Sequence, residues 1–433
     1  MRTPIPLGLA AAVVLLANCG GEPSPVSGPA PSPGAVRPAH RPVERYGDPV
    51  GVGIGHPAAR AVVRVTQEEA RALGLPPLER DAALDAAATT LAAVGRPGTS
   101  FPNDLMQFAA SSAGVVEPVL TYLVAALPDA SAQEVARQAR SVVGASLKRG
   151  RHDRVGAGVA AGRLVILLTE RRVVFDEPVP RWLEVGTDAP LRGRVLAPYG
   201  EAEVHATGPG GQVQTLHQGR DAAFAARLRC GAPGVHQIEV LGRDPAGPRV
   251  LANFPIYCAD APPSAWIAPA WADGSTIEPR AAERALWARV NADRAGAGLH
   301  ALIWDDRLAA VARAHSMDMR DHDFVAHVSP RTGDVGDRVA RAGVPADVVM
   351  ENIGAADTAE SIHAGLMQSP AHRAAVLAPE ANRGGVGVTV AERAHTAHTL
   401  LATEVFVSDP PSFLPGEAAA RVRDAYAARA AEA

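Results

Sequence analysis

His327-Val328-Ser329-Pro330, Glu351-Asn352-Ile353-Gly354, Ser369-Pro370-Ala371-His372-Arg373 and Gly385-Val386-Gly387-Val388 follow one another in the C-terminal third of the chain. Their reading decides the fold of that part. Ser369 stands immediately before a proline, the arrangement of an N-cap hydroxyl followed by Pro at the first helical position. From Gly385 to Val390 the valines alternate with smaller residues, the period of a strand, and Leu400 to Val407 supplies a second one. Upstream, the helix after Trp304-Asp305-Asp306 carries Leu308, Val311, Ala312, His315 and Met319 on one face. Ser275-Thr276-Ile277-Glu278 has capping-box spacing and predicts a helix running to about Arg294; Asp357-Thr358-Ala359-Glu360 repeats that spacing. His327 to Asp334 is rich in turn residues. Helices interleaved with two closing strands make this segment α+β.

The order His-x-Ser-Pro, Glu-Asn-Ile, Ser-Pro-x-His-Arg, Gly-Val-Gly-Val and a strand ending in Val-Phe-Val resembles bacterial members of the CAP superfamily, the SCP-like extracellular domains. The resemblance implies a secreted α-β-α sandwich over residues 275–409. It also implies a cleft tetrad of two histidines and two acids, which carries over as His327, Glu351 and His372. The second acid has no clear match, and its place falls near Ser369. Glu360 is an acidic candidate, but its spacing from Asp357 favours a capping role over a place in the cleft. Some members hold a divalent ion through the histidines, so His327 and His372 are candidate ligands for a metal such as zinc. Read as residues, imidazoles and a carboxylate are suitable donors for such an ion. The first turn of a helix also favours the neutral, ligating form of His372. His327 and His372 share no local ligand spacing, however, so a hydrogen-bonded cleft without an ion is an equal reading. His315 reads as a buried helix-face residue, and His322, His363, His395 and His398 as solvated.

Outward from this segment, residues 182–263 read as a small Ig-like β-sandwich. Leu191 to Leu196, Ala202 to Ala206, Val213 to Leu216, Ala222 to Leu228, Gly234 to Leu241 and Arg249 to Tyr257 are short runs separated by turn signals. Cys230 and Cys258 sit at the ends of two of them, and apart from Cys19 no other cysteine exists, which is compatible with one disulfide. Residues 264–274 read as a linker. Residues 46–181 read as a degenerate copy of the last domain. Asp81-x-x-Leu84-x-x-x-Ala88 parallels Asp305-x-x-Leu308-x-x-x-Ala312. Gly156-Ala157-Gly158-Val159, followed by Val165 to Val174, parallels Gly385 to Val388 followed by Leu400 to Val407. The positions corresponding to His327 and His372 fall near Asn103 and Ser146.

At the N-terminus, Arg2 and the apolar stretch Leu7 to Ala17 have the charge order and length of a secretory signal (residues 1–18), too short to span a bilayer. Leu15-Leu16-Ala17-Asn18-Cys19 resembles a bacterial lipobox, which implies lipidation of Cys19. Residues 19–45 hold seven prolines after Glu22 and read as an extended tether; residues 410–433 read as a tail. The expected location is the cell envelope, lipid-anchored on its extracytoplasmic side. A net charge of −4 over 433 residues leaves no basic footprint for nucleic acid. With neither a Gly-x-Ser-x-Gly elbow nor a His-Glu-x-x-His helix, the leading expectation is a tethered binding module for an extracellular lipid, glycan or protein. The alternative is a metal-assisted, peptidase-like hydrolase with His327 or His372 as base and Glu351 as orienter. A ligand-free structural envelope protein is the third.

Overall fold

The computed structural model describes residues 12–15, 35–51, 55–94, 101–118, 121–127, 131–149, 151–267, 278–322, 324–356, 358–391, 399–409 and 423. Cys19, most of the segment expected as a secretory signal, all of the expected tail but residue 423, and His395 and His398 lie outside the described residues.

The first unit has four helices: α1 (Pro57–Ala72), α2 (Ala82–Ala92), α3 (Asn103–Ser112) and α4 (Ala132–Arg149). They cover a sheet in the order Ala12–Leu15, Thr121–Ala126, Arg163–Thr169, Arg154–Ala160, Glu79–Arg80. Strand periodicity divides the core in two. Leu164, Ile166 and Leu168 pack with α1 and α4, whereas Val165 and Leu167 pack with α2 and α3.

The last unit follows the same plan with α5 (Pro279–Gly296), α6 (Asp306–Asp321), α7 (Val335–Arg341), α8 (Ala359–Gln368) and α9 (Pro370–Val376). Its sheet runs Val348–Ala356, Thr399–Ser408, Arg383–Ala391, Ile303–Trp304. In both units the last-named strand is short and parallel to its neighbour, and the longer pairs are antiparallel. The helices dock in the same register. A Cβ on Gly156 or Gly158 would lie within 2.6 Å of the α2 backbone, at Asp85 and Thr89. One on Gly385 or Gly387 would meet α6 at Ala309 and Arg313 just as closely. Only glycine lets helix and sheet approach this far. Asp81 and Asp305 cap the two helices through equivalent pairs of backbone N–H groups.

Between the units lies a two-sheet sandwich. One sheet orders Trp182–Leu183, Gly247–Cys258, Gly234–Asp244, Gly200–Thr207, Val213–Gln218; the other orders Ala223–Arg229, Asp188–Val195, Val173–Phe175. The run Val165 to Val174, read from sequence as one strand, is therefore split. Arg163–Thr169 stays in the first sheet while Val173–Phe175 crosses into the sandwich. Cys230 and Cys258 form a disulfide with Cα atoms 5.5 Å apart, inside the range the bridge requires.

Other expectations are corrected. The segment expected as a free tether is held from residue 35 onward. Ala35–Val36 pairs with Trp266–Ile267 and Arg45–Tyr46 with Val179–Pro180, because Val36, Val43 and Tyr46 are buried against the folded units. Trp266, in the expected linker, is buried too and donates its indole N–H to Asp104 at 2.8 Å. Helix α5 is N-capped by Glu278, whose own carboxylate accepts from the N–H groups of Arg280 and Ala281, while Ser275 of the expected capping box lies outside the described residues. Helix α8 is capped by Thr358, which accepts from the Ser361 N–H.

Candidate functional site

The site straddles the free edge of the last sheet, at Val348–Ala356. Glu351 points from this strand toward the loop between α6 and α7, and its side chain is 2% exposed. Its Oε1 is 3.0 Å from His327 Nδ1, and its Oε2 accepts from Arg338 of α7 at 2.6 Å. Arg338 also donates to the carbonyls of His327 and Gly333, stapling the turn-rich loop to the carboxylate. A buried carboxylate needs such partners to remain charged. Sequence reading passed over Arg338, and its place on a short helix offered no signal.

His372 enters from α9, where Ser369 is the N-cap and Pro370 the first residue, as the sequence predicts. The two imidazoles have centroids 6.5 Å apart and planes inclined by 32°. His372 opens partly onto the cleft, yet it is recessed enough that desolvation, followed by the nearby His327, pushes its pKa down to about 3. The neutral ring expected from the helix dipole is thus enforced chiefly by burial. Below it, Asn352 donates to the His372 carbonyl and to Glu404, both at 3.1 Å, and burial pushes the Glu404 carboxyl up to about 7.

Ser369, near which the second acid was expected, is met by a carboxylate from another part of the chain. Glu239, in the sandwich strand Gly234–Asp244, is fully buried against α9. Its Oε1 accepts from Ser369 Oγ at 2.5 Å and its Oε2 from the Ala371 N–H at 2.8 Å, while Ser369 Oγ lies 2.8 Å from His372 Nδ1. Burial pushes this carboxyl up to about 7 against the pull of those donors. Glu360 stands elsewhere: it is exposed and pairs with Arg289 on the outside of α8. His315 is buried as expected, against the Ala326 carbonyl, and His322 is partly exposed beside Asp318. His363, expected to be solvated, is buried and paired with Asp293 at 2.6 Å.

For a metal, the donor set is limited. Both Nδ1 atoms face protein partners, so each ring would ligate through Nε2, and Glu351 is already committed to His327 and Arg338. Among the described residues no three His, Cys, Asp or Glu side chains converge on a common point. Two neutral imidazoles fit an ion whose other positions are taken by water or ligand, not a closed structural site. Neither serine near the cleft is a free nucleophile. Ser329 Oγ donates to Asp318 and accepts from two backbone N–H groups, and Ser369 Oγ is engaged by Glu239.

A cavity of about 300 Å³ opens beside His372. Met106 and Ala110 of α3 form one wall, and Ile353, Ile362 and Leu366 of the last unit form the other. Asn253 of the sandwich contributes at the end near Ser369 and His372. Asn103 closes one rim by donating to the Ser361 carbonyl at 2.6 Å.

Residues 287–406 match the model of the CAP family, the cysteine-rich secretory protein family. The chain is 31% identical over 129 residues to the "Uncharacterized membrane protein YlbC" of Bacillus subtilis (strain 168), a match covering 27% of this chain and 37% of that one. It is 36% identical over 98 residues to the "Uncharacterized protein YkwD" of the same organism, covering 22% and 38%. The chain therefore spans under two-fifths of the length of these relatives. Among solved structures, an extracellular protein containing a SCP domain from Bacillus anthracis str. Ames is similar at 19% identity. That match covers 55% of this chain and 81% of the other, with a TM-score of 0.28, too loose to argue from. The family match falls on the residues that form the histidine cleft: the C-terminal part of this chain is a bacterial CAP-superfamily domain.

Proposed function

We propose that this protein is an extracytoplasmic binding module that takes a small amphipathic ligand, lipid-like in its apolar part, into the cavity beside His372. The carrying observation is that cavity's construction. Its walls come from all three folded units, are largely apolar, and end at a neutral imidazole. Its volume is at the small end of ligand pockets. An apolar body would lie against Met106, Ile353 and Leu366, with its polar end toward His372. A zinc-like ion on the Nε2 atoms of His327 and His372 is a compatible addition. Anchoring through a lipidated Cys19 would hold the module at the membrane, with a glycan or protein partner reached from there.

The test is titration of the purified chain with a fluorescent medium-chain fatty acid, alongside an Ala110→Trp variant that fills the cavity. Saturable binding lost in the variant, with the melting temperature retained, supports the reading. Unchanged binding in the variant removes the cavity from it. Cleavage of a peptide library that disappears in His327→Ala would replace it with the hydrolase reading.

A further inference from the structure

The CAP cleft here is not self-contained. Alternation along Gly234–Asp244 puts Ile238 and Val240 into the sandwich core and turns Glu239 outward. Outward would normally mean toward solvent, but α9 covers the position. The sandwich also touches the other histidine, since the Ala246 carbonyl accepts from Val328 N–H at 3.2 Å, next to His327. Arg373 fastens α9 to the Gly211 carbonyl at 3.0 Å. A buried carboxylate at such a boundary is costly unless its acceptors are filled, and three donors fill them: Ser369 Oγ, Ala371 N–H and, at 3.3 Å, Asn253 Nδ2.

We propose that Glu239 is a positioning residue of the cleft. Acting through Ser369, it holds His372 with its proton on Nδ1 and the Nε2 lone pair facing the cavity, so that the sandwich completes the site where the CAP domain lacks its second acid. The direction of the hydrogen bonds compels this. At pH 8, above the value of about 7 to which burial pushes it, Glu239 is ionised and can only accept, so the Ser369 hydroxyl spends its one proton on it. Its oxygen is then left to accept from His372, and a neutral imidazole has one N–H to give, which must be at Nδ1. A ligand or ion in the cleft therefore meets a lone pair and not a donor.

The inference holds whether or not the cavity takes a fatty acid, so its test needs no ligand. The full chain, labelled with ¹⁵N at histidine, is recorded in long-range ¹H–¹⁵N spectra at pH 8, with the His372 signals identified by their loss in His372→Gln. Wild type should show the Nδ1–H form. In Glu239→Gln the amide carbonyl keeps the shorter Ala371 N–H bond, at 2.8 Å, and the NH₂ takes the other position, where only the longer 3.3 Å bond from Asn253 is given up. The NH₂ then donates to Ser369 Oγ, the hydroxyl turns to Nδ1, and the ring proton should shift to Nε2. If Glu239→Gln does not fold, Ser369→Ala serves: without the bridging oxygen, the Nδ1–H form should give way to a mixture. A carboxylate that merely capped α9 would leave the tautomer where it was. Nε2–H in wild type, or an Nδ1–H form unmoved in the variants, overturns the proposal.

Discussion

In the first unit Gly156 and Gly158 let α2 lie on the sheet, and in the last unit Gly385 and Gly387 do the same for α6. Asp81 and Asp305 cap those helices alike. The units part company beyond this frame. Where the last unit presents His327 and His372 to a cleft, the residues near the positions that the sequence parallel gives them in the first are Asn103, which bonds across to Ser361, and Ser146, buried inside α4. The first unit's buried ion pairing is instead an Arg171 bridge between Asp81 and Glu117. The frame is held by backbone approach and apolar packing, neither of which needs an imidazole. A unit with this frame can therefore do without the polar site and serve as a wall of the other's cavity.

The largest effect should come from the shared glycines. Gly158→Ala and Gly387→Ala each drive a methyl into helix backbone, and both should cost more than about 3 kcal/mol in urea unfolding. Tolerance in one unit and collapse in the other would break the equivalence of the two frames.

Arg338→Ala should follow closely, because it leaves Glu351 buried with half its partners gone, at about 3–5 kcal/mol. Arg171→Ala should cost less, since that side chain is 32% exposed, Asp81 keeps the Ala83 and Leu84 N–H groups, and Glu117 keeps the Val116 N–H. Thermal melts of the two variants measure the difference; equal losses would mean that Arg338 is no more essential than its counterpart in the first unit.

The pH dependence sharpens the contrast further. The folded state keeps a proton on Glu239 to about pH 7, whereas the unfolded chain releases it near the ordinary carboxylate value of 4.5. The stability this group contributes is present below about 4.5 and lost as pH rises toward 7. The stability difference between wild type and Glu239→Gln should therefore shift against wild type across that window, by up to about 3 kcal/mol. A flat difference between pH 4 and 8 would show that the carboxyl titrates as an exposed one does.

Zinc should give the smallest signal. Two imidazoles without a third protein ligand make a weak site, visible by calorimetry in wild type and absent in His327→Ala and in His372→Ala. Binding that persists in the double variant would place the ion away from the cleft.

Much of the CAP domain was legible in the chain because its signals are local. The Ser369–Pro370 cap, the alternating valines after Gly385 and the buried face of α6 each depend on residues within one element. Glu351 was legible as a partner of His327 through the family's motif order. Glu360 stayed a candidate because a carboxylate in the first turn of a helix looks the same from sequence whether it faces a cleft or, as here, an arginine outside it. His363 misled for a related reason: Asp293, which pairs with it, is seventy residues away on α5.

Sequence by itself determined many of the elements, the paired glycines of the two sheets, the cysteine pair and the two histidines, since each rests on periodicity, chirality or a short motif. Tertiary structure alone decided which groups those histidines answer to. Period-two alternation sends Glu239 to the solvent face of its strand, and nothing near it in the chain says otherwise. Only the docking of α9 removes the water, and with the water gone the carboxylate must find its donors in Ser369, Ala371 and Asn253.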